Sequence, residues 1–143
     1  MTFPTLQSIL KACSALVMVL GLIVALAAHP ATSAGAGFLL DLIFWPLDGS
    51  PTLESGSVRL LAAIAGGVMV GWGVMLWQVA AHILPSNAAL AINLLRSGLI
   101  AWFAVDSLGS LAAGAPINVA LNVALLAAFL WPLARVQSIV RAR

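Results

Sequence analysis

The side chains best suited to chemistry in this chain are polar groups that lie within or beside long apolar runs. One set combines a base, an acid, two serines and two asparagines: Arg59, Asp106, Ser107, Ser110, Asn118 and Asn122. Asp106 and Ser110 are four residues apart, as are Asn118 and Asn122, so each pair shares one face of a helix. A carboxylate at the centre of a membrane helix costs about 3 kcal/mol and turns toward protein partners. We expect one polar cluster in which Arg59 pairs with Asp106.

Two roles for this predicted cluster remain open. In the first it is a structural latch, a hydrogen-bonded salt bridge that fixes how three helices meet. In the second, Asp106 binds a proton, an ion or a polar head group. Replacing Asp106 by Asn distinguishes them, because a latch loses stability whereas a proton site loses activity while the fold persists.

A second, shallower polar set is expected at the other end of the apolar runs. Gln78 and His82 are four residues apart in one run, and Asn93 and Arg96 are three apart in the next. Consecutive runs that form antiparallel helices would bring all four side chains together near one bilayer surface. We interpret this set as an interfacial cap, with the stem of Arg96 extended toward the headgroups.

The sequence lacks the common cofactor and catalytic motifs. His29 and His82 belong to opposite ends of the apolar runs, which excludes a haem held by both and leaves open a chlorin with one histidine ligand. No His-Glu-x-x-His or Cys-x-x-Cys run occurs, and a single Cys13 permits no internal disulfide. Asp106 and Ser107 are predicted far from His82, so no serine triad forms. We expect no enzyme activity, no metal and no cofactor.

Composition places most of the chain in lipid. Of 143 residues, 63% are hydrophobic and 7% are charged, whereas about 25% of residues in a soluble domain are charged. The formal net charge of +2 comes from basic residues that occur singly rather than as a patch. The lipid bilayer is therefore an expected partner, and nucleic acid is not.

Four apolar runs approach or exceed the length needed to cross a bilayer about 30 Å thick. They cover 9–28, 58–84, 88–113 and 117–136, and Pro30, Pro85 and Pro116 lie between them. The first run also has features of a signal peptide, but its apolar stretch exceeds the usual length of about 7 to 15 residues, so we expect an uncleaved helix. The predicted fold is all-α, a four-helix transmembrane bundle that forms a single integral membrane domain over 1–143.

A short apolar segment, 38–45, separates the first two spans and is too short to cross the bilayer. We expect an interfacial helix there, with Trp45 at headgroup depth. A turn over 46–49 closes the segment. Ser50 followed by Pro51 is typical of a helix start, and predicts that a helix leading into the second span begins at that point.

Basic residues indicate the orientation, because those in short flanks stay on the cytoplasmic side. One side of the predicted bundle collects five of them: Lys11, Arg96, Arg135, Arg141 and Arg143. The other side has a single base, Arg59, and three acids: Asp41, Asp48 and Glu54. We expect a multi-pass protein of the bacterial inner membrane with both termini in the cytoplasm.

The second span carries small residues at intervals of four, Ala63, Gly67 and Gly71, with Gly66 and Gly73 close by. This spacing favours close helix contact in lipid, where no hydrophobic force acts between helices. We expect Ala63, Gly67 and Gly71 to form the packing face of this helix.

Three segments carry a resemblance to known proteins: GGVMVGWG at 66–73, WFAVDS at 102–107 and AGAPIN at 113–118. They resemble small uncharacterised four-helix proteins of alphaproteobacterial inner membranes, over most of the chain from about Leu40. Size, helix number and a glycine-rich second span are also similar to the DoxX-like group. The resemblance implies the fold and an inner-membrane location, and it transfers no catalytic residue.

These features predict a non-enzymatic accessory or interaction subunit of a membrane assembly, in contact with other membrane protein subunits or with copies of itself. Five tryptophans offer large contact surfaces: Trp45, Trp72, Trp77, Trp102 and Trp131. The alternative is a small carrier or proton-linked transport component that uses Asp106 and Arg59.

Overall fold

Five helices dominate the structure, a computed structural model that describes residues 1–142. They are α1 (Phe3–Ala25), α2 (Ala34–Phe44), α3 (Gly56–Gln78), α4 (Ala88–Ala112) and α5 (Pro116–Arg141). Short helical turns extend α1 to Ala28 and carry α3, through a π-helical turn at Val79–Ile83, as far as Ser86. No strand occurs in the described range, so the predicted all-α fold is confirmed.

Four of these helices are long and apolar enough to cross a membrane, and the chain is a multi-pass membrane protein on that basis. They cover Phe3–Ala28, Gly56–Ser86, Ala88–Ala112 and Pro116–Arg141. The first begins before the predicted apolar run because Pro4 lies in its first turn, where no backbone N–H is needed.

The helices follow the order α3, α1, α5, α4 around the bundle. α1 packs most extensively against α3, α4 packs against α5, and α1 joins the two pairs through α5. The consecutive helices α3 and α4 meet mainly near the turn that connects them, and the rings of Trp72 and Trp102 touch at a centroid distance of 5.3 Å. We call the end where α1 begins and α5 ends the terminal end. The opposite end, with residues 26–55 and 113–115, is the loop end.

The apolar core lies in the terminal half of the bundle. Leu10, Leu84, Leu99, Phe129 and Leu133, which come from all four long helices, are fully buried there. In the loop half, α1 pairs with α3 through glycine contacts and α4 pairs with α5 through polar side chains. At the terminal end, apolar packing thus holds all four helices together. At the loop end, the helices form two separate pairs.

The contact between α1 and α3 depends on glycine. A methyl group at Gly21 would lie 2.8 Å from the carbonyl oxygen of Gly66, and one at Gly73 would lie 3.0 Å from the carbonyl oxygen of Ser14. A methyl group at Gly66 would overlap the backbone of Ala25. The two helices therefore approach backbone to backbone, as small residues permit in lipid.

The predicted packing face of α3 is wrong. Gly67 and Gly71 are exposed, and a methyl group on either would meet no atom within 4 Å, while Ala63 is half-buried. The actual seam contains Gly66 and Gly73, which are seven residues apart. Neighbouring residues differ by about 100° around a helix, so a seam through Gly66 turns Gly67 and Gly71 away from α1.

Side-chain caps set where α3 and α4 begin. Ser55 Oγ accepts a hydrogen bond from the Val58 N–H at 3.1 Å, and Asn87 Oδ1 accepts one at 3.0 Å from the N–H three residues later. The predicted helix start at Ser50 and Pro51 is wrong, because that segment is non-helical and the first capped turn follows Ser55.

α2 and the turn after it cover the loop end. α2 begins four residues before the predicted segment 38–45 and packs against α5 and the end of α1. Asp41 Oδ1 accepts hydrogen bonds from the backbone N–H groups of Asp48, at 3.1 Å, and Gly49, at 3.0 Å. These bonds tie the turn to the helix, and Trp45 between them stays exposed.

Candidate functional site

A tight hairpin between α4 and α5 positions the polar residues of the loop end. α4 ends in a Schellman motif in which Gly114 is left-handed, with φ +75°, and the Ala115 N–H bonds to the Ser110 carbonyl oxygen at 2.8 Å. Pro116 then begins α5, where its missing N–H costs nothing. The hairpin places the last turns of α4 beside the first turns of α5.

Asp106 is the centre of the cluster that results. Its Oδ1 accepts hydrogen bonds from Asn122 Nδ2 at 2.8 Å and Asn118 Nδ2 at 2.9 Å. The single O–H of Ser110 is shared between the Asp106 carbonyl oxygen, at 2.8 Å, and Oδ1, at 3.2 Å. Asn118 also donates to Ser110 Oγ at 2.8 Å, and Asn122 to Ser107 Oγ at 3.4 Å. The structure thus joins five of the six predicted residues. Because every donor is neutral, the carboxylate receives hydrogen bonds without a counter-charge.

The second carboxylate oxygen, Asp106 Oδ2, receives none of these hydrogen bonds. It is not sealed in the interior, because every buried side-chain nitrogen or oxygen among the described residues has a hydrogen-bond partner. Asp106 as a whole is partly exposed. One oxygen therefore holds the hairpin, while the other is open to a proton, a cation or a hydrogen-bond donor.

Arg59, the sixth predicted member, lies elsewhere. Its Nη1 donates to the carbonyl oxygens of Leu53, at 3.4 Å, and Glu54, in the segment that leads into α3. The predicted pair of Arg59 and Asp106 is wrong, because α3 packs against α1 and not against α4 over this half of the bundle. Arg59 instead holds the start of its own helix.

The second predicted set does not come together either. Arg96 Nη2 donates to Gln137 Oε1 of α5 at 2.8 Å, so it connects α4 with α5. Gln78 and His82 are exposed on α3, and Asn93 is exposed on α4. The prediction paired α4 with α3 in chain order, whereas the structure places α5 on this side of α4. Arg143, predicted on the same side of the membrane, lies outside the described residues.

Gln7 is a polar residue that sequence reasoning missed. Its Nε2 donates to the carbonyl oxygens of Ala80, at 2.9 Å, and Ala81, at 3.3 Å. Pro85 has no N–H, so it cannot donate to the carbonyl of Ala81, four residues earlier, or of Ala80, five residues earlier. Gln7 supplies the donor that these two carbonyls lack. The signal was present in the sequence: a proline near the end of a span leaves backbone carbonyls without their helical donor, and a polar side chain of a neighbouring helix is one group that can supply it.

Lys11 was also assigned only a topological role. Its Nζ lies 4.8 Å from the ring centroid of Trp77 on α3. This cation–π contact gives a lysine within α1 a partner that carries no charge. It connects α1 with α3 on the terminal side of the glycine seam.

The remaining side chains with metal or redox chemistry lie apart. Within residues 1–142, no group of three or more His, Cys, Asp or Glu side chains is arranged to hold a metal. His29 Nδ1 accepts a hydrogen bond from the Ala31 N–H at 3.2 Å at the loop end, and His82 lies in the π turn of α3 at the terminal end. Cys13 Sγ lies 3.7 Å from the carbonyl oxygen of Ala128, between α1 and α5.

One side of α3 is left uncovered by the rest of the described chain. We call it the outer face of α3, and its members are Ile64, Gly67, Val68, Gly71, Met75, Gln78 and His82, all exposed. At 100° per residue they fall within a sector of about 100°. The face combines two open glycines, a flanking row of apolar side chains and two polar residues toward the terminal end.

Comparison of the chain with family models, with curated proteins and with solved structures gives no match. The resemblance to alphaproteobacterial four-helix proteins and to the DoxX-like group stays a prediction.

Proposed function

We propose that this chain is a non-enzymatic assembly subunit of a bacterial inner membrane, which binds another membrane-embedded helix through the outer face of α3. The observation that carries the proposal is the exposure of Gly67 and Gly71, which meet no atom of their own chain within 4 Å of an added methyl group. Glycines four residues apart permit close contact between helix backbones in lipid. Inside this chain Gly66 and Gly73 take that role, so Gly67 and Gly71 are available to a partner.

The polar end of the same face supports a protein partner rather than lipid alone. Gln78 and His82 are exposed there. Side chains of these kinds form hydrogen bonds between membrane helices. A partner helix that contacts the glycines would extend to these groups.

The distribution of charge supports an orientation with both termini in the cytoplasm. Lys11, Arg96, Arg135 and Arg141 lie at the terminal end, whereas three of the four acids lie in the segment between α2 and α3 or on α2 itself. Labelling of single cysteines from each side of intact cells tests this orientation. Labelling of residue 2 from outside would contradict it.

The second candidate is a small carrier or proton-linked transport component. The observation that favours it is the open Oδ2 of Asp106, although it would act without Arg59. Asp106→Asn keeps an acceptor for Asn118 and Asn122 and removes the charge. The assembly proposal requires only that the variant still forms its complex. A transport component would lose transport while its fold and its complex persist, so the transport measurement separates the two candidates.

The experiment that tests the assembly proposal is purification in mild detergent followed by mass measurement of the intact particle. We expect a particle larger than one 14.7 kDa chain, containing either a stoichiometric partner or a second copy. Gly71→Leu should reduce that particle to the single chain. Gly109→Leu is the matched control, because Gly109 is also exposed and also has no neighbour within 4 Å. A single chain in the wild type, or equal loss in both variants, would contradict the proposal.

A further inference from the structure

A cleft with both polar and apolar walls opens at the terminal end between the start of α4 and the end of α5. It has a volume of about 250 Å³ and is lined by Ala89, Ile92, Asn93, Gln137, Val140 and Arg141. Asn93 also borders a second, shallow cleft of about 410 Å³, which α4 alone lines through Leu94, Arg96, Ser97 and Ile100. Because they share Asn93, we treat the two clefts as one terminal groove that continues from the end of the bundle along α4.

Two arginines supply the charge of the terminal groove. Arg96 is held across the groove by its hydrogen bond to Gln137 Oε1 at 2.8 Å, and it is partly buried. That bond uses one N–H of a guanidinium with five, and it leaves the Gln137 amide nitrogen as a further donor. Arg141 lies one helical turn beyond Gln137 and is exposed. The groove therefore presents guanidinium and amide donors from both helices.

Among residues 1–142, no Asp or Glu side chain lies at the end of the bundle that carries these arginines. The chain has four acidic residues, Asp41, Asp48, Glu54 and Asp106, and all of them belong to the loop half. Arg96 has a neutral partner, and the part of the chain that the structure describes places no Asp or Glu near Arg141. An anion from outside the chain would complement the charge of the terminal groove.

The far part of the groove is apolar. Leu94 and Ile100 on α4 are 46% and 49% exposed, on the side of the helix that borders the second cleft. A free phosphate would use only the polar mouth, whereas a phospholipid would use both parts. Basic pockets between membrane helices are a recurrent binding site for anionic headgroups.

We propose that the terminal groove binds an anionic phospholipid. Its phosphate accepts hydrogen bonds from Arg96 and Arg141, its headgroup contacts the amides of Asn93 and Gln137, and one acyl chain lies along Leu94 and Ile100. Arginine suits this role because its planar fork donates two hydrogen bonds to one phosphate.

Native mass spectrometry of the full chain in detergent tests the proposal. Delipidated protein is mixed with palmitoyl-oleoyl-phosphatidylglycerol or, separately, with the phosphatidylcholine of the same acyl chains. We expect the wild type to retain the anionic lipid at least about tenfold better. Each arginine near an anionic headgroup contributes about 1 kcal/mol, so Arg96→Gln and Arg141→Gln should each weaken retention about fivefold.

Arg135→Gln is the matched control. Arg135 carries the same charge on α5 at the same end of the bundle, but it lines a different cleft with Met1, Trp131 and Ser138. Its replacement should change retention less than twofold. Arg96→Gln also removes a hydrogen bond between α4 and α5. If this variant fails to fold, the comparison of Arg141→Gln with Arg135→Gln tests the proposal.

Three results would overturn the proposal. Equal retention of the two lipids would mean that the groove does not select an anion. Equal weakening of lipid retention by Arg135→Gln and Arg141→Gln would mean that basic residues attract anionic lipid without a defined site. Displacement of the lipid by millimolar inorganic phosphate would assign the mouth of the groove to a free phosphate instead.

Discussion

The carboxylate of Asp106 joins α4 to α5 through a single oxygen atom that accepts hydrogen bonds from Asn118 and Asn122 of α5. Hydrogen bonds between membrane helices contribute about 0.6 kcal/mol each on average, and charge-assisted ones are stronger. The two bonds between the helices therefore stabilise the hairpin by on the order of 1 kcal/mol.

A double-mutant cycle measures this coupling. We expect Asp106→Ala and Asn122→Ala, measured singly and together in mixed detergent micelles, to couple by about 1 kcal/mol in the free energy of unfolding. Asp106→Ala with Arg59→Ala serves as the control and should be additive within about 0.5 kcal/mol. If Asp106 couples to Arg59 as strongly as to Asn122, the two residues form the predicted salt bridge and the arrangement described here is wrong.

The two glutamines near the ends of α1 and α3 make a second test at this scale. Gln7→Leu leaves the carbonyls of Ala80 and Ala81 without their donor, and we expect a loss of about 1 kcal/mol in unfolding free energy. Gln78→Leu, at an exposed glutamine, should leave the isolated chain unchanged. Pro85→Ala restores an N–H and should recover part of the loss caused by Gln7→Leu. Equal effects of the two glutamine variants would exclude the proposed role of Gln7.

Residue spacing predicted one part of the polar cluster and failed for another. Asp106, Ser110, Asn118 and Asn122 could be placed together because a hairpin of three linking residues forces α4 and α5 to be neighbours. Arg59 could not be placed, because its position depends on which helices pack side by side. Chain order favours α3 against α4, and the bundle instead puts α1 beside α3.

At the scale of elements, the contact between α1 and α3 decides the shape of the loop half. Gly21 and Gly66 bring the two backbones together, and α3 then has no close contact left for α4 along that half. The length of the apolar runs predicted all four long helices. Run length could not predict how each helix is rotated about its own axis. Gly66 and Gly67 are adjacent, so two different faces of α3 carry small residues and either could have been the seam. The missing information was the position of Gly21 on the partner helix.

Adjacent glycines of α3 test this seam directly. Gly66→Leu places a side chain into the backbone of α1, and we expect a loss of at least about 2 kcal/mol in unfolding free energy, or failure to fold. Gly67→Leu enters open space and should change stability by no more than about 0.5 kcal/mol. Equilibrium unfolding in mixed micelles measures both. The opposite ranking of these variants would place the seam on the predicted face.

At the scale of the whole molecule, charge and exposed surface divide the bundle into regions with different partners. Among the described residues, the terminal end carries basic side chains and no Asp or Glu, and it offers the terminal groove to an anionic lipid. The outer face of α3 offers exposed glycines to a neighbouring helix. At the loop end, Asp41, Arg59 and Asp106 form hydrogen bonds within the chain, and Asp106 Oδ2 receives none of those made by the cluster.

The central claim is that the outer face of α3 contacts another membrane-embedded chain, and photo-crosslinking in native membranes tests it most directly. A photoreactive amino acid at Val68, which is 67% exposed on that face, is compared with one at Val105, which is 75% exposed on α4. We predict a discrete cross-linked product from position 68 and none of comparable yield from position 105. No product at position 68, or equal products at both positions, would contradict the claim.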